Sequence, residues 1–204
     1  MAEMHGDEEF TGKYEKEGRI AGRLVDAFYA AVAGLLAPRL VGAGTLLEVG
    51  CGAGYSTERL RPLLPDGCEF LACDVGPTLI AAARARNPQV HVSRQSVYAL
   101  GLPDKAVDVV VMLEVLEHLD DPARALAELR RVARRHVILS TPREPIWRVL
   151  NFMRGKYIAD FGNTPGHVQH WSSAGLRRFV GTHFDVEDMR QPLPWTVLAL
   201  APRP

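Results

Sequence analysis

Three glycines at alternate positions, Gly50, Gly52 and Gly54, follow the apolar run Leu46-Leu47-Glu48-Val49, and Asp74 closes the next apolar run, Leu71-Ala72-Cys73. Glycine admits unusual backbone angles and lets the main chain approach a ligand closely, which suits a turn that receives a cofactor. A single acid at the end of the neighbouring strand is placed to accept hydrogen bonds from both hydroxyls of a ribose. Together they predict a nucleoside cofactor at the carboxyl ends of parallel strands. The dinucleotide fingerprint G-x-G-x-x-G would need glycine at position 55, where Tyr55 stands. The chain reads E-x-G-x-G-x-G instead.

Residues able to move a proton or hold a metal collect in two further places, Glu114-Val115-Leu116-Glu117-His118 and His167-Val168-Gln169-His170. Imidazole is suited to taking a proton near neutral pH, so His118 is the first candidate base. Packing, or capping a short helix ahead of Asp121, is its plainer alternative. His167 and His170, at i, i+3 spacing, could present two nitrogens to one metal, with Glu117 and His118 completing the set if the fold brings them close. Gly162, Pro165 and Gly166 impose irregular backbone there, and loop histidines more often hold a lid by hydrogen bonds. No metal is therefore assigned, and His167 and His170 stand as second acid–base or acceptor-orienting candidates. Arg143 is positioned to pair with an anionic acceptor, or equally with Glu144.

Alternating strands and helices must position these groups. Strands are predicted at 45–49, 69–74, 90–93, 107–112 and 136–140, and helices at 56–64, 77–86 and 122–134. Pro77 and Pro122 suit first helical positions, with Asp121 as N-cap. Residues 19–37 carry a helical apolar face through Ile20, Leu24, Phe28, Val32, Leu35 and Leu36. A helix opening at Ser172 or Ser173 and strands at 184–190 and 196–201 close the chain. The pattern is α/β: a doubly wound, mostly parallel sheet ending in an antiparallel pair.

The 204 residues fit one domain, with a helical arm over 1–40, a cofactor core over 41–142, an insertion over 143–171 and a closing helix and hairpin over 172–204. Hydrophobic residues at 47% and charged residues at 24% are ordinary globular values. Zero formal net charge gives no electrostatic reason to expect a nucleic-acid or anionic-membrane partner. Arg130-Arg131 and Arg134-Arg135 read as caps on a helix carboxyl end. Cys51, Cys68 and Cys73 are odd in number and form no C-x-x-C pair, which predicts a reduced, cytoplasmic protein. The amino terminus is polar and acidic, unlike a signal peptide, and the longest apolar runs, such as Val109 to Leu113, are too short to span a bilayer.

The glycine turn resembles motif I of class I S-adenosylmethionine (SAM)-dependent methyltransferases. Leu102-Pro103-Asp104-Lys105-Ala106-Val107-Asp108-Val109-Val110-Val111 is similar to the LP-x-x-x-x-D-V-V element of small-molecule members, although an ordinary buried strand shares that pattern. Glu114-Val115-Leu116-Glu117-His118-Leu119-Asp120-Asp121-Pro122 closely resembles the E-V-L-E-H-L-x-D-P segment of a group that includes ubiquinone-pathway enzymes. Ser140-Thr141-Pro142 matches the usual end of strand five, so the resemblance spans about 45–142.

The resemblance implies a seven-stranded Rossmann-like sheet with an antiparallel last strand, SAM as cofactor and S-adenosylhomocysteine as product. It sets Gly50, Cys51, Gly52 and Gly54 against the methionine part of the cofactor, with Glu48 orienting that turn. It sets Asp74 on the ribose, Val75 against the adenine, and Ser96 and Val97 near the adenine amino group, where relatives present an acid. The backbone near Glu114 would meet the methionine amino group, and His118 would sit beside the transferring methyl. Tyr14, with Lys13 and Arg19 as alternatives, would close over the methionine carboxylate. The DNA-methyltransferase pattern of two prolines and an aromatic residue is absent, which favours a small-molecule acceptor. In-line transfer needs alignment above all, and oxygen is the favoured acceptor atom.

The insertion carries Ile146, Trp147, Val149, Leu150, Phe152 and Met153 at roughly helical spacing, then Tyr157, Ile158 and Phe161. It would cover an acceptor pocket with Arg143, Trp147, Tyr157 and Trp171, touch a membrane, or pair with a second copy to form a homodimer; simple core packing gives the same pattern. An acceptor lid is the preferred role. An NAD-dependent oxidoreductase would carry the other glycine spacing. A non-catalytic SAM-binding scaffold would keep the turn and Asp74, and aminopropyl transfer would not require the Glu114–His118 segment.

Overall fold

Two strands with uninterrupted apolar faces form the middle of the sheet. In the computed structural model, which describes residues 19–153, 157, 161 and 163–203, these are β1 (Thr45–Val49) and β4 (Val107–Leu113), the latter buried along its whole length. Strands covered on both faces need no polar alternation, which is why they read as continuous valine and leucine runs. Around them stand β2 (Glu69–Asp74), β3 (His91–Arg94), β5 (Ala133–Pro142), β6 (Phe184–Arg190) and β7 (Trp195–Pro202). The order is β3-β2-β1-β4-β5-β7-β6. All pairings through β5 are parallel, and β7 runs antiparallel between β5 and β6.

The two-residue period of a strand sends neighbours to opposite layers. Leu46, Val109 and Ile138 face a layer built by α1 (Arg19–Leu36) and α3 (Pro77–Arg86). Leu47, Val110 and Leu139 face α4 (Pro122–Val132) and α6 (Ser173–Val180). Between these lie α2 (Tyr55–Leu60), which continues as a 3-10 turn, and the lid helix α5 (Ile146–Met153). Asp121 and Ser172 cap α4 and α6, accepting hydrogen bonds from the backbone N–H groups of Arg124 and Gly175.

Three expectations change. The helix predicted to reach 134 stops at Val132, and β5 begins at once at Ala133. Alanine and arginine favour helix locally, but Arg134 pairs with the Asp108 carboxylate at 2.7 Å and draws the chain into the sheet. Of the basic pairs, only Arg130 and Arg131 lie in a helix's last turn; Arg134 and Arg135 belong to β5. Finally, Ala21–Arg39 is long and apolar enough to cross a membrane by length and composition. In this fold Phe28, Val32, Leu35 and Leu36 pack one face of that helix into the core, and 22% of the span is buried. Lys13 and Tyr14 lie outside the described residues.

Candidate functional site

At the carboxyl ends of β1, β2 and β4 opens a cavity of about 620 Å³, in the size range of small-molecule and cofactor sites. Its floor is the turn after β1. Gly50 N–H and Cys51 N–H both donate to the Cys73 carbonyl, at 2.8 and 3.0 Å, which staples the turn to the end of β2. Gly50 has φ +76°, and a Cβ there would lie 2.3 Å from Val115 Cγ2. Only glycine lets this turn touch the chain leaving β4. Gly54 is constrained from another side: at φ +82° its Cβ would meet Asn87 Nδ2 at 2.5 Å and the Ala83 Cα at 2.9 Å. It belongs to the α2–α3 packing and does not line the cavity.

Asp74 is the hub. One carboxylate oxygen accepts from Gly52 N–H and the other from Gly76 N–H, each at 2.9 Å. It thereby holds both loops that frame the cavity, and each oxygen retains a further lone pair for a ligand hydroxyl. Val75 stands exposed at the rim, while Ser96 and Val97 form the far wall. Ser96 Oγ accepts from Tyr98 N–H at 3.3 Å. Cys51 reaches the cavity as a neutral thiol, because burial, with Glu48 and Asp74 close by, pushes its pKa up.

Glu48 lies behind the turn, 1% exposed, and is not part of the lining. Thr57 Oγ1 donates to it at 2.6 Å, so it ties β1 to α2. Burial raises its pKa to about 7, against the opposing hydrogen bonds of Ser56 and Thr57 and with added repulsion from Asp74.

The opposite end is built by side chains from distant parts of the chain. Glu114 adopts φ +56°, a left-handed conformation that costs a side-chain-bearing residue roughly 1–2 kcal/mol. Its carboxylate accepts from Ser140 Oγ and from Trp195 Nε1, both at 2.7 Å, and its N–H donates to Ser140 Oγ at 3.1 Å. His118, half-buried, lines the cavity and its Nδ1 lies 3.0 Å from the Gly166 carbonyl. A carbonyl only accepts, so Nδ1 carries the proton and Nε2 is the basic nitrogen. His167, buried, meets the His118 ring edge-on at 4.8 Å, and Trp147 stacks on His167 at 6.0 Å. Trp147 in turn donates to Thr164 Oγ1 at 2.9 Å.

The remaining lid candidates do other work. His170 is not in the Glu117–His118–His167 group but pairs with Glu144 at 3.5 Å. Arg143 donates to Gln191 Oε1 at 3.0 Å, and Trp171 stacks on Phe179 at 5.5 Å. Arg143 and Trp171 fasten the insertion to the body, His170 ties its two ends together, and neither they nor Tyr157 line the cavity. Conversely, the sequence reading missed Phe28, Tyr29, Tyr55, Tyr98 and Arg94, all on the cavity wall. Phe28 and Tyr29 were legible only as part of an amphipathic helix. Arg94 donates to the Val75 carbonyl at 3.0 Å and steadies the rim.

Residues 47–140 match the family described as Methyltransferase domain. The chain is 41% identical over 109 residues to a probable S-adenosylmethionine-dependent methyltransferase of Mycobacterium tuberculosis, covering 52% of this chain and 38% of that protein. It is 33% identical over 130 residues to the ubiquinone biosynthesis O-methyltransferase of Xanthomonas axonopodis pv. citri, covering 59% and 53% respectively. Its fold is similar to that of magnesium protoporphyrin IX methyltransferase from Synechocystis PCC 6803, solved with S-adenosylhomocysteine, with a TM-score of 0.67 at 17% identity over 92% of this chain and 89% of that one. The chain spans from about two fifths to about half the length of these two curated relatives.

Proposed function

We propose that the chain is a class I SAM-dependent methyltransferase, as the match over residues 47–140 and the curated relatives support, and that it binds SAM in this cavity and transfers the methyl group to an oxygen of a small-molecule acceptor. Asp74 carries the reading: it organises both framing loops while offering lone pairs at the cavity edge for two ribose hydroxyls. The residues present fit that cofactor. Val75, Ser96 and Val97 offer a largely apolar wall for the base, and the Gly50–Gly52 backbone a close approach for the amino-acid end.

Bound SAM supplies a sulfonium methyl that is already a strong electrophile. The protein's task is then to align the acceptor and remove its proton. His118 serves as the base: with Nδ1 donating to Gly166, Nε2 accepts the proton of a hydroxyl as the bond to carbon forms. His167 and Trp147 hold the imidazole in place from the lid side, and Glu114 fixes the backbone between the two ends. A named O-methyltransferase among the relatives supports oxygen as the acceptor atom. Three cysteines without disulfides, two of them buried, fit a reducing cytoplasmic setting.

Incubation with methyl-labelled SAM and paired hydroxyl and amine acceptors tests the reading. Label in an ether or ester, with one S-adenosylhomocysteine per methyl, is expected. Label confined to amines would overturn the oxygen assignment, and binding without transfer would favour a scaffold.

A further inference from the structure

Glu117, His118 and His167 each offer one ligand atom, and all three atoms lie within 4.8 Å of one another. Two come from the 3-10 turn Leu116–His118 and one from the lid loop. The carboxylate is 2% exposed and His167 6% exposed. A carboxylate withdrawn from water is costly unless a positive charge faces it. Two imidazole nitrogens stand within ligand reach of that carboxylate, an arrangement in which a shared cation could sit.

We infer that the three side chains form a site for a divalent transition-metal ion of the zinc class, clamping the lid to the body of the domain. Two imidazoles and one carboxylate make a recognised zinc ligand set that leaves a fourth position open. The backbone around it is already tied. Val168 N–H and Gln169 N–H both donate to the Glu117 carbonyl, at 3.0 and 3.1 Å, so His167 is held across from Glu117. His118 donates Nδ1–H to Gly166, which turns Nε2 into its only ligating nitrogen. A backbone carbonyl on the second ring nitrogen is the usual way a metal-binding histidine is oriented. Ligands at zinc distances stand about 3.4 Å apart in a tetrahedron, so atoms up to 4.8 Å apart must draw in by as much as about 1.4 Å.

The site adjoins the acceptor end of the cavity, because His118 belongs to both. If the transferase reading holds, an acceptor hydroxyl on the open position would ionise more readily, its proton passing to solvent. The two roles of His118 Nε2 belong to two states of the protein: it is a ligand when the ion is bound and the base when the site is empty. Ion binding itself does not depend on that reading.

Protein stripped with chelator and dialysed is titrated with zinc chloride and, separately, with cobalt chloride. One ion per chain is expected, with a raised Tm and a cobalt visible spectrum of nitrogen and oxygen ligation. His167→Gln and Glu117→Gln should each weaken zinc binding by at least about tenfold, while S-adenosylhomocysteine binding stays unchanged as the control for folding. No stoichiometric ion in the wild type, or wild-type zinc affinity retained in both variants, would overturn the inference. Loss of S-adenosylhomocysteine binding in the wild type would instead strike the transferase reading and leave the metal site standing.

Discussion

At the ribose end of the cavity the walls are mostly backbone, whereas at the acceptor end they are side chains supplied from far along the chain. Gly50, Cys51, Gly52 and Gly76 are held by the Cys73 carbonyl and the Asp74 carboxylate, within one β-α-β stretch. Glu114, by contrast, depends on Ser140 and on Trp195, and His118 depends on Gly166. The first arrangement fits a cofactor that does not change. The second places specificity where lid and strand side chains can vary without disturbing the turn. Gly50 against Val115 is the joint between the two ends.

Breaking that joint should have the largest effect. Gly50→Ala sets a methyl 2.3 Å from Val115 Cγ2 at φ +76°, so stability is expected to fall by about 4 kcal/mol. Chemical denaturation measures it, and adding Val115→Ala should recover most of the loss because the obstructing atom is a side-chain methyl. If the double variant is no better, the joint is not where the strain lies.

The next test separates the ribose end by pH. Glu48 has a folded-state pKa of about 7 against a usual 4.5, so the native state binds the proton more tightly. Its contribution is full below pH 4.5, declines as pH rises towards 7, and is lost above that; the span corresponds to about 3 kcal/mol. Glu48→Gln keeps the shape and should flatten that slope in denaturation curves collected between those pH values. An unchanged slope would place the titration elsewhere.

At the acceptor end, His118→Gln should lower kcat by roughly a hundredfold while leaving S-adenosylhomocysteine affinity intact. A parallel loss of cofactor affinity would mean that the two ends are not separable. The smallest effect is expected from Trp195→Phe, which removes the N–H that reaches Glu114 and should cost about 1 kcal/mol, with more acceptor discrimination lost than cofactor affinity.

The ribose end was legible because its logic is local: a strand, a glycine turn and an acid one strand later need no knowledge of the remaining chain. Even there the sequence does not show that Gly54 packs against Ala83 and Asn87 of another helix. The acceptor end was half legible. His118 was identifiable from its segment, but its partner Gly166 is set only by tertiary packing. His170 and Trp171 stand beside His167 in sequence, whereas Arg143 is read from its place just beyond strand five. An irregular backbone does not keep adjacent side chains on one side: His170 turns to Glu144 inside the insertion, and Trp171 stacks on Phe179 in the body. Trp195 gave no signal, because a tryptophan opening a strand reads as ordinary core. The fold was read more fully, since apolar runs and helix caps report burial directly.

The central claim is that Asp74 and the glycine turn hold SAM, and calorimetric titration with S-adenosylhomocysteine of the wild type and Asp74→Ala tests it most directly. Micromolar binding in the wild type, weakened at least tenfold by the substitution, or about 1.4 kcal/mol, is the predicted result. A folded wild type that binds nothing, or an Asp74→Ala variant that binds equally well, would contradict it.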